Sequence, residues 1–152
     1  MVLGLRASSQ EVRYAILDKD SDGKIIFVNR TSEHRLKYPA NIDKVDGKLN
    51  WIKAEIDRIL RQNTAIDIIV IKMSEYTGTE NATKRETTYA DAIFLLCAAE
   101  HGIPVVRKLN SQIESSSSRA KEYAEARVGK TDQYWNNTIA DAILAAYWGI
   151  QQ

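Results

Sequence analysis

Residues 2–29 read VLGLRASSQEVRYAILDKDSDGKIIFVN. Val2 to Arg6, Val12 to Leu17 and Ile25 to Asn29 are short runs of apolar and β-branched residues, and turn-forming residues separate them. The Asp22-Gly23 pair between the second and third runs is a strong signal for a tight hairpin. This stretch therefore predicts an antiparallel meander of three strands.

The rest of the chain alternates between helical and strand patterns. The predicted elements are a helix at Lys48 to Gln62, a strand at Ile66 to Ile71, a helix marked by Tyr89 and ended by Gly102, a strand at Ile103 to Arg107, and helices at Arg119 to Arg127 and Asn137 to Trp148. The polar segments Ser74 to Arg85 and Ser115 to Ser118 predict mobile loops. The order of elements predicts an α/β fold with a five-stranded mixed sheet flanked by helices. We expect the first three strands to be antiparallel and the fourth and fifth to run parallel to the first.

Length and composition limit the function classes. The 152 residues, 44% of them hydrophobic, suffice for one domain that spans residues 1–152. Because 21 Lys and Arg balance 20 Asp and Glu, any nucleic-acid site must be a local basic patch. No stretch approaches the about 18 apolar residues that a membrane span needs, and Met1 to Gln10 lacks a signal-peptide pattern. We therefore expect a cytoplasmic protein with no membrane partner, and its single cysteine, Cys97, in the core.

The sequence offers no convincing metal site. Asp18, Asp20 and Asp22 match the first half of an EF-hand loop, but Asn29 stands where the bidentate glutamate is required. The two histidines are far apart in sequence and only one cysteine is present, so a zinc cluster is excluded. We expect neither a metal nor another cofactor.

Three segments resemble the RuvC-type Holliday-junction resolvases of the RNase H-like superfamily: Leu3-Gly4-Leu5-Arg6-Ala7-Ser8-Ser9, Ile68-Ile69-Val70-Ile71-Lys72, and Asn137-Thr138-Ile139-Ala140-Asp141-Ala142-Ile143-Leu144-Ala145-Ala146. The resemblance implies an RNase H-like fold. It also places four family catalytic positions, which carry acids in the family, at Arg6, Lys72, Thr138 and Asp141. Only Asp141 keeps its carboxylate.

The family reaction, as the resemblance implies, is phosphodiester hydrolysis by two divalent metals held between carboxylates. Arg6 and Lys72 would place cations where those metals sit, so we expect no catalytic residues and no metal-dependent cleavage. The two cations could instead bind a phosphate directly, and nearby Lys84, Arg85, Arg119, Lys121 and Arg127 could add contacts. Thr138 and Asp141 also have the spacing of a capping box, which by itself could explain the retained acid.

Three functions remain open. The first is a binding or scaffold module with a degenerate site, which recognises a nucleic-acid structure or another protein. The second is a nuclease that uses Mg or Mn with a rearranged acidic site, for which Glu75, Glu80 and Glu86 are the candidate ligands. The third is a structural homodimer joined by an aromatic contact of Trp51, Tyr147 and Trp148.

Overall fold

Six strands form one mixed sheet in the computed structural model, which describes residues 1–152. The strands are β1 (Val2–Ala7), β2 (Glu11–Lys19), β3 (Ile25–Phe27), β4 (Arg35–Lys37), β5 (Ile68–Lys72) and β6 (Val105–Lys108). The helices are α1 (Val45–Gln62), α2 (Ala82–Glu100), α3 (Ala120–Arg127) and α4 (Asn137–Ile150), with a 3-10 turn at Asn110–Ile113. The strand order is β3-β2-β1-β5-β6, and β4 pairs with the other end of β2.

The predicted mixed sheet is confirmed, with one strand added. β2 is antiparallel to β1 and β3, whereas β1 and β5 are parallel, as are β5 and β6. The sequence missed β4 because Leu36 is its only apolar residue and no alternation is visible over three positions. Strand β6, which follows Pro104, lies at an edge of the sheet, a position where proline is tolerated.

Helix α2 begins earlier than the sequence predicts. Its N-cap is Asn81, whose side chain accepts a hydrogen bond from the Lys84 N–H at 2.9 Å. Residues 82–85 are therefore helical, and the predicted loop of Ser74 to Arg85 ends at its cap. An asparagine cap is a recognised start signal, but the polar first turn of this helix hid the apolar periodicity.

The sheet separates two hydrophobic layers. Helices α1 and α2 cover one face, and Cys97 of α2 is buried there as predicted. Helices α3 and α4 cover the other face, where most buried residues of α4 are alanine or a branched aliphatic residue. No helix in the structure is both long and apolar enough to cross a membrane.

Helix α4 approaches strand β1 so closely that only glycine fits at position 4. A Cβ on Gly4 would lie 2.0 Å from the carbonyl oxygen of Ala142 and 2.7 Å from the amide nitrogen of Ala146. Gly149 is also tight, since its Cβ would lie 2.7 Å from a methyl of Val70 and 2.8 Å from a methyl of Val2. These glycines fix the height and rotation of α4 over the sheet.

We predict that Gly4→Ala lowers the free energy of unfolding by about 1–3 kcal/mol, because the methyl group meets helix backbone that cannot rotate away. The matched control is Gly47→Ala in helix α1, where the only close atom is a methyl of Ile42 at 3.0 Å. Alanine favours a helix, so this control should be neutral or stabilising by up to about 1 kcal/mol. Urea unfolding measures both, and equal effects would contradict the close approach.

Candidate functional site

Three neighbouring strands, β1, β5 and β6, each carry a cation at or next to their carboxyl-terminal end. Lys72 of β5 is the direct partner of Lys108 in β6, and Arg6 of β1 follows Leu5, which pairs with Ile71. Arg6 Nη1 donates to the Lys72 carbonyl oxygen at 3.2 Å. The Lys108 ammonium lies 4.0 Å from the ring centroid of Trp148 in α4, so this row of cations faces α4.

Asp141 projects from α4 onto this row. Its Oδ2 lies 3.4 Å from Arg6 Nε, while its Oδ1 is buried without a hydrogen-bond partner. Burial raises the pKa of Asp141, and the nearby Arg6 and Lys72 offset this only in part. The structure thus brings together three of the four positions that the resemblance indicates.

The capping explanation for Asp141 is wrong. The N-cap of α4 is Asn136, whose side chain accepts a hydrogen bond from the Ile139 N–H at 3.1 Å. Thr138 and Asp141 therefore lie inside the helix, where neither side chain caps a free N–H. Contact with Arg6 is the interaction that Asp141 makes.

Lys72 is buried, with 1% of its side chain exposed. Its ammonium lies 2.9 Å from Glu75 Oε1, which also accepts the Asn110 N–H at 2.8 Å. Burial works to raise the pKa of Glu75, but the Asn110 N–H and the Lys72 ammonium together lower it. Lys72 and Glu75 therefore form an ion pair whose charges largely cancel, and a ligand could touch the Lys72 ammonium only if Glu75 moved.

Sequence reasoning missed Asp91 on helix α2. This carboxyl group is 8% exposed, and its Oδ1 has no hydrogen-bond partner. Burial raises its pKa to about 7, against the opposing effect of Arg6, Lys72 and Arg107. The sequence feature that could have indicated Asp91 is its place between the core residues Ala90 and Phe94, because a buried carboxyl group without a partner is unusual.

Asp91 opens into a cleft of about 390 Å³ between helix α2 and the loop at residues 73–80. Lys84 and Arg107 supply cations to its lining, and Leu95 and Met73 supply apolar surface. Tyr76 lies in the same loop with 81% of its surface exposed. The cleft is therefore of mixed charge, because Glu75, Glu80 and Asp91 line it together with the two cations, and it opens to solvent beside an exposed aromatic ring.

The other cations predicted to bind phosphate divide into two groups. Lys84 donates to the carbonyl of Thr77 at the cleft, and Arg85 forms an exposed ion pair with Glu80 at 3.4 Å. The cations of α3 do not contact the site residues. Arg119 pairs with Glu122, Arg127 donates to the carbonyls of Ile113 and Glu114, and Lys121 is exposed.

The acids proposed for a rearranged metal site do not form one ligand cluster, although Glu75 and Glu80 line the same cleft. Glu75 is held by Lys72, Glu80 by Arg85, and Glu86 lies 3.9 Å from Lys48 of helix α1. No three acidic, histidine or cysteine side chains are grouped so that they could hold a metal ion. The donor set therefore does not fit a two-metal centre.

The aromatic residues proposed for a homodimer contact do not form one patch. Trp51 packs against Tyr38 on the α1 face, whereas Tyr147 and Trp148 pack on the opposite face of the sheet. The exposed large hydrophobic side chains are scattered: Tyr89 and Leu96 lie on helix α2, Ile26 and Val28 lie at strand β3, and Tyr76 and Tyr134 lie in loops. Dimerisation stays a prediction.

We predict that Asp91 makes stability fall as pH rises. Its folded pKa of about 7 lies above the ordinary value of 3.8, so the folded chain binds more protons than the unfolded chain between these values. The contribution of Asp91 to the free energy of unfolding is therefore greatest below about pH 4, and it is lost as the pH rises through about 7. Urea unfolding measures the free energy of unfolding at about pH 5 and about pH 8. Between these two values it should fall by a few kcal/mol less in Asp91→Asn than in the wild type. Identical pH dependence of the two proteins would contradict the buried, protonated carboxyl.

Comparison with known proteins identifies the fold. No family model and no curated protein sequence matches the chain. Among solved structures, Thermus thermophilus RuvC in complex with a Holliday junction substrate has a TM-score of 0.75 and 16% identity over 97% of this chain and 90% of that chain. Another structure of RuvC from the same organism has a TM-score of 0.71 and 14% identity, over 97% of this chain and 91% of that one. The yeast mitochondrial Holliday junction resolvase has a TM-score of 0.64 and 14% identity, over 99% of this chain and 77% of that one. The chain therefore has the RNase H-like fold of the RuvC type.

Proposed function

We propose that this chain binds the phosphate backbone of a branched or structured nucleic acid without metal-dependent cleavage, through a degenerate RuvC-type site. The observation that carries the proposal is the position of Arg6. Its guanidinium group lies between the end of β1 and Asp141, with Nε 3.4 Å from Asp141 Oδ2. A cation of the protein thus occupies the space beside the one acid retained among the four family positions.

Electrostatics favour an anion over a metal at this point. Two unit charges about 4 Å apart interact with about 4 kcal/mol at an effective dielectric constant of about 20, and a divalent ion doubles this repulsion. Magnesium also requires several hard anionic oxygen ligands. Asp141 already forms an ion pair with Arg6, and Glu75 forms one with Lys72, so neither carboxylate is free to bind magnesium.

Arg6 has hydrogen-bonding capacity left for a phosphate. Its Nε faces Asp141, and its Nη1 donates to the Lys72 carbonyl and to Ser74 Oγ at 3.3 Å. Nη2 makes no hydrogen bond within the chain, and 20% of the side chain is exposed. Guanidinium groups suit phosphate oxygens because their planar donors match the geometry of the anion.

Branched nucleic acid fits this surface better than plain duplex. The net charge of +1 gives no broad positive field for duplex binding, so local features must supply affinity. The exposed Tyr76 ring beside the cleft could stack on a base at the branch point, where the continuous stacking of a duplex is interrupted. The structural neighbour with a TM-score of 0.75 was solved with a Holliday junction substrate.

We predict that Arg6→Ala combined with Lys72→Met weakens binding to branched DNA by about tenfold or more in EDTA, because phosphate contacts dominate affinity. The plot of log affinity against log salt should also become shallower by about 1, or about 2 if both cations act. A fluorescence anisotropy titration at two or more salt concentrations measures both quantities.

The matched control is Lys19→Ala combined with Lys24→Ala, which removes two exposed cations from the β2–β3 hairpin and should leave affinity nearly unchanged. Equal, weak binding by all three proteins would end the phosphate-site proposal. Cleavage of branched DNA by the wild type with manganese would overturn the proposed degeneracy.

A further inference from the structure

The row of cations continues beyond the candidate site. Arg13 of β2 pairs directly with Arg6 in β1, and on its other side with Arg35 in β4. Residues directly opposite each other in antiparallel strands project to the same face of a sheet. Lys108, Lys72, Arg6, Arg13 and Arg35 therefore form one row across five strands.

Arg13 is the residue of this row whose burial contributes least clearly to the stability of the fold. Its side chain is 0% exposed, and its Nε and Nη1 make no hydrogen bond. Nη2 donates to the carbonyl of Tyr134, and Glu11 Oε1 lies 3.9 Å from Nε. Burial lowers the pKa of Arg13, and Glu11 only partly opposes this. Since an apolar residue often replaces a buried charge without loss of stability, the retained guanidinium points to a role in binding.

A pocket of about 430 Å³ lies at this end of the row, between the β3–β4 loop and the loop that precedes α4. Its charged lining residues are Arg30, Glu33, Arg35, Lys37 and Asp132. Glu33 accepts hydrogen bonds from Tyr14 and Arg58, and Arg35 pairs with Glu11. Arg30 and Lys37 make no ion pair, so two free cations face the single free carboxylate of Asp132.

Two further side chains are arranged for binding. His34 lines the pocket at 5% exposure, and its Nδ1 has no hydrogen-bond partner. Burial and the adjacent Arg13 lower the pKa of His34, which favours the neutral ring. Tyr134 has a φ of 55°, which is rare for a residue with a side chain, and Arg35 lies 4.4 Å from its ring centroid. Backbone strain of this kind concentrates at binding sites.

We propose that this pocket, lined by Arg30, His34, Arg35, Lys37 and Tyr134 over the buried Arg13, is a second phosphate subsite for the same nucleic acid. The inference rests on the proposed function of the Arg6 site. Arg35 and Lys72 are three strands apart, which corresponds to about 14 Å. Duplex DNA carries about eight phosphates over that length when both strands are counted, so one nucleic acid can reach both subsites.

The test compares Arg30→Ala combined with Lys37→Ala against the hairpin control, Lys19→Ala combined with Lys24→Ala. All four cations are exposed and make no ion pair, so the two variants remove equal charge. In EDTA, the pocket variant should bind branched DNA about tenfold more weakly than the control, with a salt slope shallower by about 2. If it matches the control while the Arg6 and Lys72 variant loses affinity, the second subsite is wrong and the proposed function stands.

Arg13→Met supplies an independent variant, because a buried apolar side chain of similar length should preserve folding. We expect it to unfold at the same or higher urea concentration and to bind branched DNA several-fold more weakly. Unchanged affinity in the folded variant would overturn the role of Arg13.

Amide NMR signals distinguish nucleic acid from a free phosphate compound. Branched DNA should shift the signals of residues 30–37 and 131–134, and inorganic phosphate should compete only weakly. If inorganic phosphate alone shifts them and DNA does not, the pocket binds a small phosphate compound and the nucleic-acid assignment is wrong.

Discussion

The close approach of helix α4 to strand β1 decides where the chemistry of this molecule lies. Gly4 leaves no room for a side chain beneath Ala142, and Gly149 lets the helix settle between Val2 and Val70. Because α4 is fixed at this height, Asp141, one residue before Ala142, faces Arg6 at the end of the same strand. The packing of small residues thus positions the retained acid.

The second feature is the cost of placing like charges side by side. Facing cations on neighbouring strands destabilise a sheet, and a buried charge that loses its partner costs about 3–5 kcal/mol. The chain offsets this with one acid near each buried cation: Glu75 for Lys72 and Glu11 for Arg13. These acids leave the edge of the sheet positive but not strongly charged, which suits recognition of a phosphate backbone at a local patch. Because Glu75 and Glu11 pair with cations, their carboxylates are not free to bind a metal.

The sequence was sufficient for the fold and for part of the site. Long apolar strands such as β5 and the small-residue helix α4 carry strong periodic signals, and both were predicted nearly at their observed bounds. Strand β4 was missed because three residues with one apolar side chain carry no period. The role of Asp141 as a cap was wrong because the actual cap, Asn136, lies only two residues before Thr138, so both patterns overlap. Asp91 and Arg13 could not be assigned because their importance comes from burial without partners, which depends on neighbours distant in sequence.

Reversal of the two charges at the end of β1 and β5 tests the central claim most directly. Arg6→Asp combined with Lys72→Glu restores carboxylates at the positions where the resemblance places them. Binding of branched DNA in EDTA should be strong for the wild type and lost in this variant, and calorimetry should detect manganese binding only in the variant, because carboxylates attract the metal that the cations repel. Wild-type binding that requires a divalent metal, or equal binding of both proteins in EDTA, would contradict a metal-independent phosphate site.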